Sequence, residues 1–364
     1  MRFMGRLAFS VAIMLALAPA IALQFVHRTQ SHHCFATLQS HYRFTTPQSN
    51  RRFTTPQSHR RVNTQLMADL EQGDTVCVIG ASGNVGKLVA LRLSENYNVR
   101  GVVRDTSKAR SFLGEKVELF QADLRADDAT AQLAPALEGA QALVICTGTT
   151  AFPTQAWSPT GRDDVAMPVL RALFDSRFKP RKAINDLSDQ GFNTPDIVDK
   201  DGTLKLLEAW ASTANVERKR LILLSSVGVQ RRKEMPYPIL NACGVLDAKA
   251  AAETAIISDA KIGGFSYTFV RPSQLFGGPY DNNFYLGTLF QLDKDAETRE
   301  VLIGRGDVTM NDDPQLGTLR STLAEVIAQT LETGAALDTD FTVVNAKGEF
   351  PEVAVLQERL AMLK

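Results

Sequence analysis

Histidine is absent from residue 69 onward: His27, His32, His33, His41 and His59 are the only five, and all precede that point. A folded region without imidazole cannot run a Ser-His-Asp triad, a His general base or a His-ligated metal site. Cysteine is scarce as well. Cys34, Cys77, Cys146 and Cys243 show no paired spacing, which argues against a disulfide framework and a thiolate metal site, and no metal is expected. Cys77 and Cys146 fall inside apolar runs and read as core thiols of a reduced compartment. Acid is what the start of the chain lacks: residues 1–68 hold eight Arg but no Lys, Asp or Glu. Residues 69–364 therefore carry 32 of the 40 basic groups against all 40 acidic ones, a formal balance of −8. Such a region is a poor nucleic-acid binder, because neutralising phosphates needs clustered Lys and Arg.

Residues 1–6 carry two positive charges, and residues 7–18 form an apolar run too short to span a bilayer comfortably. Small residues at Ala20 and Ala22 supply a cleavage site, so residues 1–22 read as a signal peptide, with a membrane anchor as the rival. Residues 23–68 are rich in Arg, Ser, Thr, Gln and His and have the composition of a transit segment. Residues 41–49 and 50–58 repeat Arg-Phe-Thr-Thr-Pro-Gln-Ser, a unit too short and polar to bury a core, and disorder is expected there. The two-part leader resembles the plastid presequence of algae whose plastid lies behind the endomembrane system. In that pattern a Phe follows the cleavage site, whereas here Leu23 follows Ala22 and Phe25 comes two positions later. The expected location is the plastid, with no stable membrane anchor in the mature chain. Secretion with a disordered N-terminus is the alternative.

What is present is a glycine turn. A run of β-formers, residues 76–79, leads into Gly80-Ala-Ser-Gly83-Asn-Val-Gly86, and a helical apolar pattern follows through Leu88, Leu91 and Leu93. Between a buried strand and a helix start, that spacing reads as a phosphate-binding turn. Gly80 allows the tight turn, Gly83 the approach of a pyrophosphate, and Gly86 close helix–strand packing, with the positive helix end facing the phosphates. Ser82, Asn84 and Val85 would lend their backbone to the same cradle.

Further strand-like runs at 99–103, 117–120, 142–146, 221–224 and 267–270 alternate with helical patterns near 84–94, 128–137, 197–214 and 245–259. This predicts an α/β, doubly wound parallel sheet of the Rossmann type, with ligands along the edge of strand C-termini. Thr147 and Gly148, just past the 142–146 run, lie on that edge. Residues 151–195 read as an insertion over it, with one helix around 165–177. A helix at 318–331, a strand at 341–344 and an amphipathic helix at 353–363 are expected beyond. The organisation predicted is a nucleotide-binding domain over 69–345, with a small C-terminal substrate-side region, and a C-terminal helix in 346–364.

The glycine turn matches the Gly-x-x-Gly-x-x-Gly form of the extended and atypical short-chain dehydrogenase/reductases. Asp123-Leu124 falls where that family contacts adenine, and the segment 198–207 resembles its helix before strand five. Leu-Leu-Ser225-Ser226-Val-Gly resembles its catalytic-Ser strand end, and Arg271-Pro272 its strand-six loop. The resemblance is closest to the NAD(P)-binding, NmrA-like and plastid members of the atypical branch. It implies a nicotinamide dinucleotide, with Ser226 polarising substrate and Lys249 holding the nicotinamide ribose.

An NAD site wants a carboxylate at the end of strand two and an NADP site a cation. Here the strand ends in Arg104, whose planar fork suits phosphate, and Asp105 comes one position late. NADP is therefore the expected cofactor and NAD the alternative. The family's reductases pair Tyr with Lys four residues on, the Tyr hydroxyl moving the proton. Lys249 aligns with that Lys, which places Val245 at the Tyr position. Tyr237 and Asp247 are the substitute acids, neither at family spacing. Two functions stay open: an NADPH-dependent oxidoreductase acting on a small molecule, and a catalytically weak dinucleotide-binding regulatory or assembly factor with a plastid protein partner.

Overall fold

The computed structural model describes residues 70–278, 297–313 and 315–363; the expected signal peptide and transit-like segment lie outside them. Strand β1 (Thr75–Ile79) shows why the first apolar run is continuous rather than alternating. Val76 and Val78 face one buried layer, while Cys77 and Ile79 face another. A strand covered on both faces needs apolar residues at every position.

The other strands are β2 (Asn98–Val103), β3 (Glu118–Gln121), β4 (Ala142–Ile145), β5 (Arg220–Leu224), β6 (Ser266–Pro272), β7 (Leu275–Phe276), β8 (Glu300–Arg305), β9 (Thr318–Leu319) and β10 (Thr339–Ala346). The main sheet runs β3-β2-β1-β4-β5-β6-β10-β8, parallel throughout except for β8, which pairs antiparallel with β10. β7 and β9 form a small parallel ribbon. The chain reverses direction across the sheet between β1 and β4. That is the topological switch point, where an open α/β sheet offers a crevice beyond its strand C-termini.

The helices are α1 (Gly86–Leu93), α2 (Thr106–Leu113), α3 (Ala129–Leu137), α4 (Ala166–Asp175), α5 (Pro180–Asp189), α6 (Gly202–Thr213), α7 (Tyr237–Leu240), α8 (Val245–Gly263), α9 (Arg320–Glu332) and α10 (Val353–Ala361). Leu93 of α1, Ile327 of α9 and Leu360 of α10 belong to one core layer; Leu133 of α3, Trp210 of α6 and Ile256 of α8 belong to the other. Trp210 donates its indole N–H to Ala140 O at 3.0 Å, so the ring is buried with its polar edge satisfied.

The expected order of strands and helices is present, with several corrections, the unforeseen strand β8 among them. The insertion holds two helices, α4 and α5, rather than one. α2 was not foreseen; it buries only Ala109 and Leu113, and Asp105 caps it by accepting from Lys108 N at 2.9 Å. Thr318 and Leu319, expected as the first residues of a helix, form β9, and the helix starts at Arg320. Helix 197–214 begins as a π turn over Asp196–Asp201 before α6.

Candidate dinucleotide site

At the C-terminal end of β1 the chain turns with Gly80 at φ 79°. Gly80 N and Ala81 N both donate to Val102 O, at 3.1 and 3.2 Å, which ties the turn to β2. Gly83 N closes it onto Gly80 O at 2.9 Å. Gly86 is where the helix touches the strand, since a Cβ there would stand 2.2 Å from Gly80 O. The N-cap of α1 is Val85, which brings no side-chain acceptor. Among the described residues, the N–H groups of Ser82, Asn84 and Val85 have no backbone partner. An uncapped helix start with free amides is a donor set for an anion, and the residues present fit a pyrophosphate.

Gly83 differs from Gly86, because its Cβ would meet only Gly80 O, at 3.2 Å. Gly83→Val is therefore expected to cut NADPH affinity by about tenfold or more while leaving the melting temperature near the parent's. Calorimetric binding that matches the parent's would show that no phosphate sits there.

At the end of β2, Arg104 keeps a solvent-exposed surface although the insertion crowds it, donating from Nη1 to Pro159 O at 3.2 Å. Burial holds its pKa below the ordinary guanidinium value; the Arg125 charge acts in the same direction and Asp123 opposes it. Beyond β3, Asp123 is clasped by Arg125, Nε to Oδ1 at 2.9 Å and Nη2 to Oδ2 at 2.5 Å. Those hydrogen bonds hold the Asp123 carboxyl below its usual range against the opposing effect of burial. Arg125 also reaches the insertion, donating to Gly191 O at 3.3 Å. Two guanidiniums within electrostatic reach of one another thus mark this end of the crevice. Arg125 escaped the sequence reading; its signal was a basic residue two positions past Asp123. Leu124 packs partly buried against the core and close to Gly202.

At the other end, past β4, Thr147 lies against Gly80, and Gly148 runs over a buried ion pair. Lys249 Nζ stands 2.8 Å from Asp199 Oδ1, and a Cβ on Gly148 would be 3.2 Å from that Nζ. Asp199 Oδ2 accepts from Thr149 N at 3.1 Å and Thr149 Oγ1 at 2.7 Å, so both carboxylate oxygens are engaged. Lys249 also donates weakly to Leu224 O, at 3.4 Å. Asp199 sits in the π turn and was not singled out from sequence.

Val245, one helical turn before Lys249, is buried in a cluster with Val229, Tyr237 and Leu246. Tyr237 is buried there with the Arg231 guanidinium 4.8 Å from its ring centroid. Ser226 Oγ donates to Val227 O at 3.0 Å. Ser225 donates its hydroxyl to Glu253. Glu253 is gripped by Arg271 through both oxygens, at 2.7 and 2.9 Å, and Arg271 Nε reaches Asp340 at 2.7 Å. That network joins α8, β6 and β10, which gives the Arg-Pro motif a structural role. Burial pushes the Cys77 and Cys146 thiols up to about 12 and Cys243 to about 11, so none offers a thiolate at neutral pH. Among the described residues, no cluster of His, Cys, Asp or Glu could hold a metal.

This is a Rossmann-type dinucleotide site. The family model described as NAD(P)H-binding matches residues 80–310, and the chain belongs to that family, on the NmrA-like, atypical short-chain dehydrogenase/reductase side. An uncharacterized chloroplastic protein of Arabidopsis thaliana is 30% identical over 261 residues, which is 71% of this chain and 65% of that protein. The chain thus spans a little under two thirds of that relative's length. The structure of an NAD-dependent epimerase/dehydratase-type protein from Bacillus halodurans aligns with a TM-score of 0.50 at 19% identity, over 79% of this chain and all of that one. Yeast methylglyoxal/isovaleraldehyde reductase, solved with NADPH, aligns at a TM-score of 0.48 and 16% identity over 74% of this chain and 78% of its own. These likenesses are of fold.

Proposed function

We propose that this protein holds NADP(H) in the plastid as an oxidoreductase-type protein in which binding outweighs turnover. The observation that carries the reading is Val245: a buried aliphatic side chain occupies the position from which the family's Tyr moves a proton. Lys249, which would lower that Tyr's pKa, is instead committed to Asp199. In this reading the amides of Ser82, Asn84 and Val85 receive the pyrophosphate between Gly80 and Gly86, and Gly83, whose amide closes the turn, leaves room for its approach. Asp123 and Leu124 flank the adenine, while Thr147, Gly148 and Lys249 take the nicotinamide ribose. A nicotinamide bound there supplies or accepts a hydride. Ser226 and Lys249 are the groups left to orient a small-molecule substrate. The plastid location rests on the leader's composition and on the chloroplastic relative.

NADP is preferred to NAD because Arg104, at the end of β2, is a cation where a 2′-phosphate would lie, within electrostatic reach of Arg125. Arg104→Ala removes a charge-assisted contact and is expected to cost about 1.5–3 kcal/mol for NADPH and little for NADH. Calorimetry with both cofactors tests this, and equal losses would remove Arg104 from the phosphate site. One observation favours a second reading, an active NADPH-dependent reductase. Tyr237 packs in the same cluster as Val245, so its phenol is the candidate substitute acid.

A further inference from the structure

The insertion's two helices carry an outward face that dinucleotide binding does not use. Met167, Arg171 and Phe174 recur at helical spacing on α4, opposite Val169, Ala172 and Leu173, which are buried. Met167 is 70% exposed and Phe174 58%. Beyond the helix, Arg177 and Phe178 both adopt left-handed backbone, at φ 56° and 59°. Two successive non-glycine residues there are strained, and the surrounding bonds must hold them. Phe178 N donates to Leu173 O at 2.7 Å, Arg177 N to Phe174 O at 2.9 Å, and Ser176 Oγ to Leu173 O at 2.9 Å. The turn keeps Phe178 outside, 53% exposed and edge-on to Phe174 with ring centroids 5.0 Å apart.

Charge at this face runs against the rest of the molecule. Residues 176–182, around Phe178, hold four basic side chains and no acid, in a region of residues 69–364 whose formal balance is −8; Asp175 pairs with Arg171 at 3.7 Å, and Asp186 and Asp189 stand further along α5. Arg171, Arg177, Lys179, Arg181 and Lys182 are all exposed. Among the described residues no helix is long and apolar enough to cross a membrane.

We infer that this face docks on an anionic bilayer surface. Phe174, Phe178 and Met167 enter the headgroup–acyl boundary, and the surrounding Arg and Lys side chains lie against anionic headgroups with their stems over the apolar residues. A protruding aromatic pair needs a matching cavity on a protein partner, whereas a fluid bilayer closes around any such shape. A basic face also counters the repulsion that the acidic body would meet at an anionic surface. Arg181 pairs with Asp247 of α8 at 3.6 Å, so the docking face adjoins the start of the helix that carries Val245 and Lys249.

The test is flotation of the full chain with vesicles of phosphatidylcholine and phosphatidylglycerol in equal parts, compared with phosphatidylcholine alone. The leader is common to every variant, so differences between variants report on the face. Phe174→Ser with Phe178→Ser should lower partitioning onto the anionic vesicles by about tenfold or more, with unchanged circular dichroism, since both rings are exposed. Lys179→Gln with Arg181→Gln and Lys182→Gln should do likewise, and moderate salt should release the parent. Anionic-vesicle binding by both variants that equals the parent's overturns the proposal. So does a parent that binds phosphatidylcholine alone equally well, or one that is retained by an acidic protein or RNA column and not by vesicles.

Discussion

Asp199→Ala is expected to destabilise the folded protein by about 3–5 kcal/mol, because it leaves a buried ammonium without its counter-charge. Lys249 and Asp199 are both buried, and the carboxylate also takes the Thr149 amide and hydroxyl. Removing one partner of such a pair exposes the whole desolvation cost of the other. Replacing both partners removes that cost, so Asp199→Leu with Lys249→Met should recover much of the loss. Urea unfolding followed by the fluorescence of Trp157 and Trp210, both fully buried, measures each variant. Equal stability of the single and double variants would show that the two charges are independent. NADPH affinity supplies a second reading, since the double variant keeps the glycine turn but loses the ammonium proposed for the nicotinamide ribose.

The site divides into what sequence carries locally and what only topology creates. The glycine turn was legible because its spacing is a steric requirement: nothing larger than hydrogen fits at Gly86 against Gly80 O. The parallel strands were legible because burial on two faces leaves no polar position to confuse the run. β8 was missed: among its residues Glu300–Arg305 only Val301 is fully buried, and it pairs with β10 alone. α5 was missed since its buried stripe is only Ala183, Ile184 and Leu187, set among charges. The outward turn at Arg177 and Phe178 has no Gly or Asn to announce left-handed backbone. Asp199 and Lys249 stand far apart in the chain, and only the approach of the π turn to α8 makes them a pair. Arg125 needed the same kind of information, because its meaning depends on the distance to Arg104.

The parent protein is expected to bind NADPH and yet oxidise it slowly in the presence of quinones or carbonyls. Positioned general acid catalysis contributes about 10²–10⁴-fold, and an aliphatic Val245 cannot contribute it. Loss of this kind appears in rate and not in affinity, because the groups proposed to hold the dinucleotide are untouched. Val245→Tyr places a phenol one helical turn before Lys249 on the same face of α8. The substitution enlarges a side chain packed with Val229, Tyr237 and Leu246, so it should also cost about 1–3 kcal/mol of stability. Lys249 would remain paired with Asp199, which limits how far it can assist the new phenol, and the gain in rate is expected to fall at the lower end of that range. The decay of NADPH absorbance with a panel of carbonyls reads both effects, with Val245→Ala as the control for packing alone. The opposite result is equally specific. Brisk oxidation by the parent that survives Val245→Ala and vanishes in Tyr237→Phe would make Tyr237 the working acid, and the protein a reductase with a relocated proton donor.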